Sequence, residues 1–301
     1  MTPTLLTIGR RAFEGEVELA KGSTLLLAVS GGPDSMALLH VTARLSDKLG
    51  LSLHAHGVDH GLRKEAKHEL DRAEELATKL SVAWSRSKVR IAKGGNLQAR
   101  AREARWAALA KAARSVGATA IATAHHADDR AETLLLRMLR GAGARGLGVM
   151  PARAPLFTEE GAARKNKLEV VRPLLRARRS DVMLHLDRHN VPFSLDPSNE
   201  DRSYLRSRVR RDLLPLLEEL DPGIVRHLEA IADDLVRIAR GTDGNGGGDF
   251  SLPRKTQEAL VALARSRSKT ARVWLPSSLV ATYEDRTRKR GDGSRGRKRG
   301  P

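Results

Sequence analysis

Short apolar, β-rich runs recur at 24–30, 51–57, about 86–91, 118–123 and 168–172. Between them lie stretches whose apolar positions repeat at helical spacing, at 35–48, 65–80, 97–115 and 128–140. Alternation of this kind predicts an α/β fold, a Rossmann-like parallel sheet with helices on both faces. Ligands of such sheets bind beyond the carboxyl ends of the strands. The segment 141–167, rich in Gly, Ala, Arg and Lys, reads as a mobile loop at that rim, and 178–190 and 204–220 read as further helices. From Asp221 the pattern is helical only, with Ile224, Val225, Leu228, Ile231, Leu235 and Ile238 three and four apart. A glycine-rich break covers 241–249, another helix is expected near 253–266, and Arg286 to Arg299 is a basic, low-complexity run. The expected division is therefore a catalytic unit over 1–220, a small helical domain over 221–270 and a disordered basic tail over 271–301.

The first apolar run ends at Ser30-Gly31-Gly32-Pro33-Asp34-Ser35 and resumes as Met36-Ala37-Leu38-Leu39. A strand, a glycine loop and a helix start in this order make a phosphate cradle, because glycine lets backbone N–H groups approach a ligand and the helix end favours anions. Asp34 offers a carboxylate to a metal, and Ser30 and Ser35 offer neutral donors. Taken alone, the same loop could be an ordinary turn with a helix cap. It is not a Walker A loop, since no Gly-Lys-Ser/Thr closes it, and it lacks the third glycine of a dinucleotide fingerprint. SGGPDS instead resembles the pyrophosphate loop of the N-type ATP pyrophosphatases, which split ATP into AMP and pyrophosphate while adenylating a substrate.

Composition narrows the partner. A formal charge of +18 and a pI near 10.9 point to a polyanion, RNA or DNA. Only 3% of residues are aromatic, so phosphate and shape contacts should lead over base stacking. There is no cysteine, which excludes disulfides, Cys-ligated zinc, iron–sulfur clusters and a persulfide relay within the chain. No apolar run approaches 18 residues and the first residues lack a long apolar core, so neither membrane span nor signal peptide is expected, and the cytoplasm is the expected location.

A second constellation, Ala124-His125-His126-Ala127-Asp128-Asp129-Arg130-Ala131-Glu132-Thr133, follows the strand ending near Thr123 and opens an amphipathic helix. Asp129 and Glu132 are three apart and share a face, so together they can fix an ammonium group. The bland reading is that Asp128 and Asp129 only cap the helix. Downstream come Arg140-Gly141-Ala142-Gly143, Gly146-Leu147-Gly148-Val149-Met150, Arg172-Pro173-Leu174-Leu175, Asp196-Pro197-Ser198-Asn199 and Tyr204-Leu205-Arg206-Ser207-Arg208-Val209-Arg210.

In this order behind SGGPDS, over roughly residues 22 to 218, the series resembles the tRNA(Ile)-lysidine synthetases. The resemblance implies an ATP- and Mg²⁺-dependent ligase that attaches free L-lysine to C2 of the wobble cytidine in an isoleucine tRNA with a CAU anticodon. It implies further that Ser30, Gly31, Gly32, Pro33, Asp34 and Ser35 hold the ATP phosphates, with Asp34 on the metal. Asp129 and Glu132 would recognise lysine, Arg206 would stand by the phosphates or the adenylate, and His56, Arg102 and Arg105 would help place the nucleotide. The sequence departs from the family pattern in carrying Arg130 where Gln is common, Ser207 where Asn is common and Asp59 where Asn is usual. Its stretch beyond residue 221 resembles the short form of the family, with fewer contacts for choosing a tRNA.

Other readings stay open at this level. A tRNA 2-thiolation enzyme of the same superfamily is disfavoured by the absence of cysteine. A basic RNA-binding protein without catalysis is disfavoured by the intact Asp34, Asp129 and Glu132. His54-Ala55-His56-Gly57-Val58-Asp59-His60 is similar to the zinc motif of RNA-processing nucleases, but one extra residue before the Asp turns the last two ligands away from that geometry.

Overall fold

The computed structural model describes residues 3–59, 61, 65–89, 97–156, 168–194 and 205–241, and the backbone of 272–274 and 280–282. The strands are β1 (Thr24–Ala28), β2 (Ser52–Asp59), β3 (Ala83–Lys88), β4 (Ala120–Ala122), β5 (Arg153–Pro155) and β6 (Glu169–Val171). They form one six-stranded sheet in the order β3-β2-β1-β4-β6-β5. β1 pairs in parallel with β2 and β4, β2 with β3, and β4 with β6, whereas β5 lies antiparallel on the outer edge. Strand order reverses between β2 and β4 on either side of β1, so the loops after β1 and β4 open side by side, as a crevice at a topological switch point requires.

β1 is buried on both faces, which is why it reads as an unbroken Leu run. Leu25 and Leu27 join the larger core under α1 (Leu5–Phe13), α2 (Pro33–Leu49), α3 (Glu65–Lys79) and α7 (Arg179–Arg188). Leu26 and Ala28 point the other way, to Leu109, Ala110 and Ala113 of α4 (Leu97–Ser115). A third core joins α5 (Ala127–Leu139) and α6 (Ala144–Leu147) to α10 (Ile224–Gly241), through Ala131, Leu134, Leu147, Val225, Leu228 and Ala232. Gly148 permits that contact at close range, because a Cβ there would stand 3.1 Å from the Leu235 carbonyl oxygen.

The structure departs from the sequence expectations in four places. Helix α1 has no counterpart among the expected elements; Thr4 caps it through Thr7 N–H, and Leu5, Ile8, Ala12 and Phe13 bury its apolar stripe. The segment expected as a mobile loop over 141–167 holds α6 and β5, and β5 pairs Arg153 with Val171 and Pro155 with Glu169. The sheet therefore gains an antiparallel edge. The helix expected over 204–220 is described from Leu205, as α8 (Leu205–Arg208) and α9 (Leu214–Leu220) joined by a π turn at Val209–Leu213. Leu214 N–H donates five residues back to Val209, one step before Pro215, which has no N–H to continue the ordinary ladder. In the stretch expected as a tail, 272–274 and 280–282 pair as a short antiparallel ribbon, β7 and β8. The expected helix near 253–266 and the basic run from 286 lie outside the described residues. No described helix is long and apolar enough to cross a membrane.

One core contact carries a pH signature. His40 on α2 and His185 on α7 share a hydrogen bond of 2.9 Å between Nδ1 and Nε2, and His189 packs on both rings. Burial, aided by His189 and Arg44, lowers His40 to about 4. Burial, aided by His40, His189 and Arg188, does the same to His185, also to about 4. An imidazole whose folded pKa is depressed contributes stability that is complete above its unfolded value near 6.5 and is lost as pH falls toward 4. The thermal midpoint is expected to fall as pH drops from 7 to 4.5, and His40→Gln is expected to flatten that fall. Identical slopes for the two proteins in a melting series would remove this pair as the cause.

Candidate active site

The loop after β1 is held from within and from without. Ser35 Oγ accepts the Ser30 N–H at 3.1 Å and donates to the Gly32 carbonyl at 2.9 Å. Ser30 Oγ lies 3.2 Å from Ser35 Oγ. Gly31 has φ +85, and a Cβ there would fall 2.4 Å from the backbone oxygen of Glu69 in α3. Only glycine meets both demands. Its carbonyl accepts Ser194 N–H at 2.9 Å, and Ser194 in turn accepts from Arg72 at 3.1 Å. Gly32 differs: it is the N-cap of α2 at φ −76, and a Cβ there would meet only Ser30 Oγ at 3.8 Å. Pro33 then opens α2 at a position where its missing N–H costs nothing.

Asp34 sits in the first turn of α2, where burial pushes its carboxyl above the ordinary range and Asp129 adds to the push; His126, Arg179 and Arg210 pull it back. Its Oδ1 is buried without a hydrogen-bond partner, and so is His126 Nε2, 3.6 Å away. Buried polar atoms kept without partners are rare in a fold selected for stability alone, so they point to a ligand.

The second constellation supplies His126. It is fully buried and caps α5 reciprocally: Asp129 N–H donates to His126 Nδ1 at 3.4 Å, and His126 N–H donates to Asp129 Oδ2 at 3.2 Å. Its Nε2 faces Asp34 Oδ1 at 3.6 Å and Asp129 Oδ2 at 3.5 Å. This imidazole is the physical link between the two motifs. The neighbouring aspartates divide their work. Asp128 accepts from Arg178, at 2.9 Å for the shortest contact, and from Arg179 N–H at 2.8 Å, so it anchors the start of α7. Asp129 and Glu132 are buried and turn to other partners.

Both of these carboxylates are engaged by two guanidinium groups. Arg206 donates to Glu132 Oε2 at 3.3 Å and to Asp129 Oδ1 at 3.4 Å. Arg210 donates to Glu132 Oε1 and, at 3.4 Å, to Asp129 Oδ1. Against the cost of burial, His126, His125 and Arg206 hold the Asp129 carboxyl below its ordinary value. Burial opposes the charge of Arg210 as well, but Glu132 and Asp129 raise its pKa on balance.

A basic wall flanks the carboxylates. Burial and the neighbouring Arg102 lower Arg105, and burial with Arg102 and Arg130 lowers Arg172 to about 10. Burial, with Arg172, Arg105 and Arg102, drives His125 down to about 3 despite Asp129. Cations gathered in one place suit an anion such as phosphate.

The structure thus brings Ser30, Gly31, Gly32, Pro33, Asp34, Ser35, Asp129, Glu132 and Arg206 to one rim, with Arg102 and Arg105 beside them. Arg206, which the resemblance places by the phosphates, lies on the carboxylate pair. His56 is set apart: its Nδ1 and Nε2 bond Ser85 and Ser87 of β3 at 2.7 and 2.9 Å. Its backbone carbonyl accepts Val29 N–H at 3.0 Å just before the loop. His54 also bonds Ser85, at 2.7 Å, so the ring atoms that a zinc motif would need are committed to hydroxyls. No group of three or more His, Asp or Glu among the described residues is arranged to hold a metal by itself. His126 and Arg210 were not singled out from the sequence. Arg210 carried a signal, four residues after Arg206 on one helical stretch; His126 carried none that separates it from His125.

Fold and loop together define a PP-loop α/β protein, and the PP-loop domain model ATP_bind_3 matches residues 7–217. The structure is similar to that of the U34-tRNA thiolase NcsA from Methanococcus maripaludis, with a TM-score of 0.63 over 81% of this chain and 82% of that one, at 15% identity. At that identity the likeness is one of fold. In sequence, the chain is 37% identical to the tRNA(Ile)-lysidine synthase of Symbiobacterium thermophilum over 73% of this chain and 44% of that one. It is 41% identical to that of Bradyrhizobium diazoefficiens over 76% and 61%, and 38% identical to that of Novosphingobium aromaticivorans over 76% and 71%. The chain belongs to the tRNA(Ile)-lysidine synthase family. The matched region spans roughly half the length of the first of these relatives and more of the other two.

Proposed function

We propose that this chain is an ATP-dependent ligase that joins free L-lysine to C2 of the wobble cytidine of a CAU-anticodon isoleucine tRNA. The observation that carries the reading is the convergence of the Ser30–Ser35 loop with Asp129 and Glu132 across the buried His126. Cytidine O2 is a poor leaving group. Attack of O2 on the α-phosphorus of ATP releases pyrophosphate and makes O2 part of an adenylate; the lysine ε-amine then adds at C2, loses a proton, and AMP departs.

In this reading the loop amides, Ser30 and Ser35 hold the ATP phosphates, while Arg102 and Arg105 bring cationic charge to them. Asp34 fits a Mg²⁺ site, because a buried carboxylate oxygen without a partner is a donor that this hard cation accepts together with phosphate oxygens. When bound, Mg²⁺ offsets charge on the phosphates. Asp129 and Glu132 take the lysine ammonium. Arg206, half exposed and held at 3.3 and 3.4 Å, has the reach to turn from the carboxylates toward the phosphates as lysine arrives. The charge of +18 supports binding of tRNA.

The test is incubation with ATP, Mg²⁺, radiolabelled lysine and two CAU-anticodon transcripts, one of isoleucine and one of methionine type. Label on the isoleucine transcript alone, with AMP and pyrophosphate released, is the expected result. Pyrophosphate release with a different nucleophile would move the substrate assignment elsewhere among PP-loop enzymes.

A further inference from the structure

Arg130 lies between the two carboxylates in sequence and projects from the same turn of α5 toward a different neighbour. Its side chain is 1% exposed. A guanidinium cannot give up its charge, so such burial demands a partner. Nε donates to the Val149 carbonyl at 3.2 Å, and Nη1 stands 2.7 Å from Asp233 Oδ1 on α10. Asp233 is the carboxylate within ion-pair distance of Arg130 among the described residues. It also accepts from Arg176 at 2.7 Å, but Arg176 has Glu16 and, at 3.6 Å, Glu229 besides.

We propose, on the basis of the lysine-site reading above, that the Arg130–Asp233 pair is a positioning couple through which α10 sets the orientation of Asp129 and Glu132. Without Asp233 the buried guanidinium loses its ion-pair partner and keeps, among the described residues, only the Val149 carbonyl as a hydrogen-bond acceptor. The first turn of α5 must then roll to bring it toward water, and that roll carries Asp129 and Glu132 away from His126 and Asp34. Neither Arg130 nor Asp233 touches a substrate in this scheme. The pair should also be asymmetric. Removing the arginine leaves Asp233 one-third exposed and still paired with Arg176, whereas removing the aspartate leaves a buried charge whose remaining carboxylate neighbour, Glu229, is not within ion-pair distance.

The experiment compares the full chain with Asp233→Asn, Arg130→Gln and the double variant, by steady-state kinetics and by amide hydrogen exchange over residues 127–136. Asp233→Asn is expected to raise the KM for lysine by about tenfold or more while the KM for ATP stays within about twofold, because in this reading the displaced carboxylates hold lysine and the Ser30–Ser35 loop holds ATP. Arg130→Gln is expected to be mild, and the double variant is expected to return to within about threefold of the parent. Exchange over 127–136 should quicken in Asp233→Asn and recover in the double variant. An unchanged lysine KM in Asp233→Asn, a double variant as impaired as the single one, or a parallel rise in every KM would each overturn the couple. If Asp233→Asn does not fold, a double variant that folds supports the couple and one that does not overturns it. Should the parent transfer no lysine at all, the substrate reading fails, and the exchange data still decide the couple.

Discussion

Asp34→Asn is expected to cut ATP-dependent pyrophosphate release by about 10²–10³-fold while the melting temperature stays level or rises slightly. The two effects part because the carboxylate stabilises chemistry and not the fold. Burial already pushes Asp34 up, Asp129 stands nearby with the same charge, and Oδ1 has no hydrogen-bond partner. Asn keeps the shape, relieves the repulsion and removes the one charge that the loop offers a cation. Pyrophosphate release and a melting curve on the same preparation check both halves. Release at the parent rate would sink the assignment of Asp34 to the phosphates and metal. Loss of release together with a collapse in melting temperature would recast Asp34 as a structural residue.

Glu132→Gln is expected to suppress lysine incorporation by about 10²-fold or more, with tRNA affinity retained and stability lowered by about 1–3 kcal/mol. Glu132 is 1% exposed and accepts from both Arg206 and Arg210. An amide of the same size can satisfy neither the two guanidinium groups nor an incoming ammonium. Filter binding of tRNA beside label transfer separates the effects. Equal loss of tRNA binding and transfer would mean that Glu132 shapes the whole rim and has no particular relation to lysine. Asp129→Ala is a less clean probe, since Asp129 Oδ2 also closes the capping box with His126.

Asp34 and Glu132 both fall within the matched region, residues 7–217. Selection of one CAU-bearing tRNA over another is a separate matter, decided by surfaces that reach an RNA tens of ångströms long, and the label-transfer test with two transcripts addresses it directly.

Much of the site was legible in the sequence because its geometry is local. A strand that ends in SGGPDS and a helix that starts there can be read from apolar runs and glycine chemistry, and the same holds for Asp129 and Glu132 at helical spacing on α5. The period of the apolar positions was also enough for the parallel core of the sheet, since burial on both faces leaves no polar position in β1 after Thr24. Short or marginal elements escaped. β5 has three residues within a basic, glycine-rich stretch, and it exists because β6 presents an open edge to pair with. The π turn at Val209–Leu213 answers to Pro215, but its i→i−5 bond leaves no periodicity to read.

What the chain by itself determined, then, is the class of chemistry: the loop, the carboxylate pair, the basic balance and the absence of cysteine follow from residue types and short spacings. Only the tertiary structure decided who meets whom. It chose His126 over its twin His125 as the buried link to Asp34, split Asp128 from Asp129, drew Arg206 and Arg210 onto the carboxylates, and spent the His56 ring on serine hydroxyls of β3. It also found, more than a hundred residues away on α10, the carboxylate that lets Arg130 be buried. These are long-range pairings, set by strand order and by helix packing, and the desolvation of a charge acts only once the fold has closed around it.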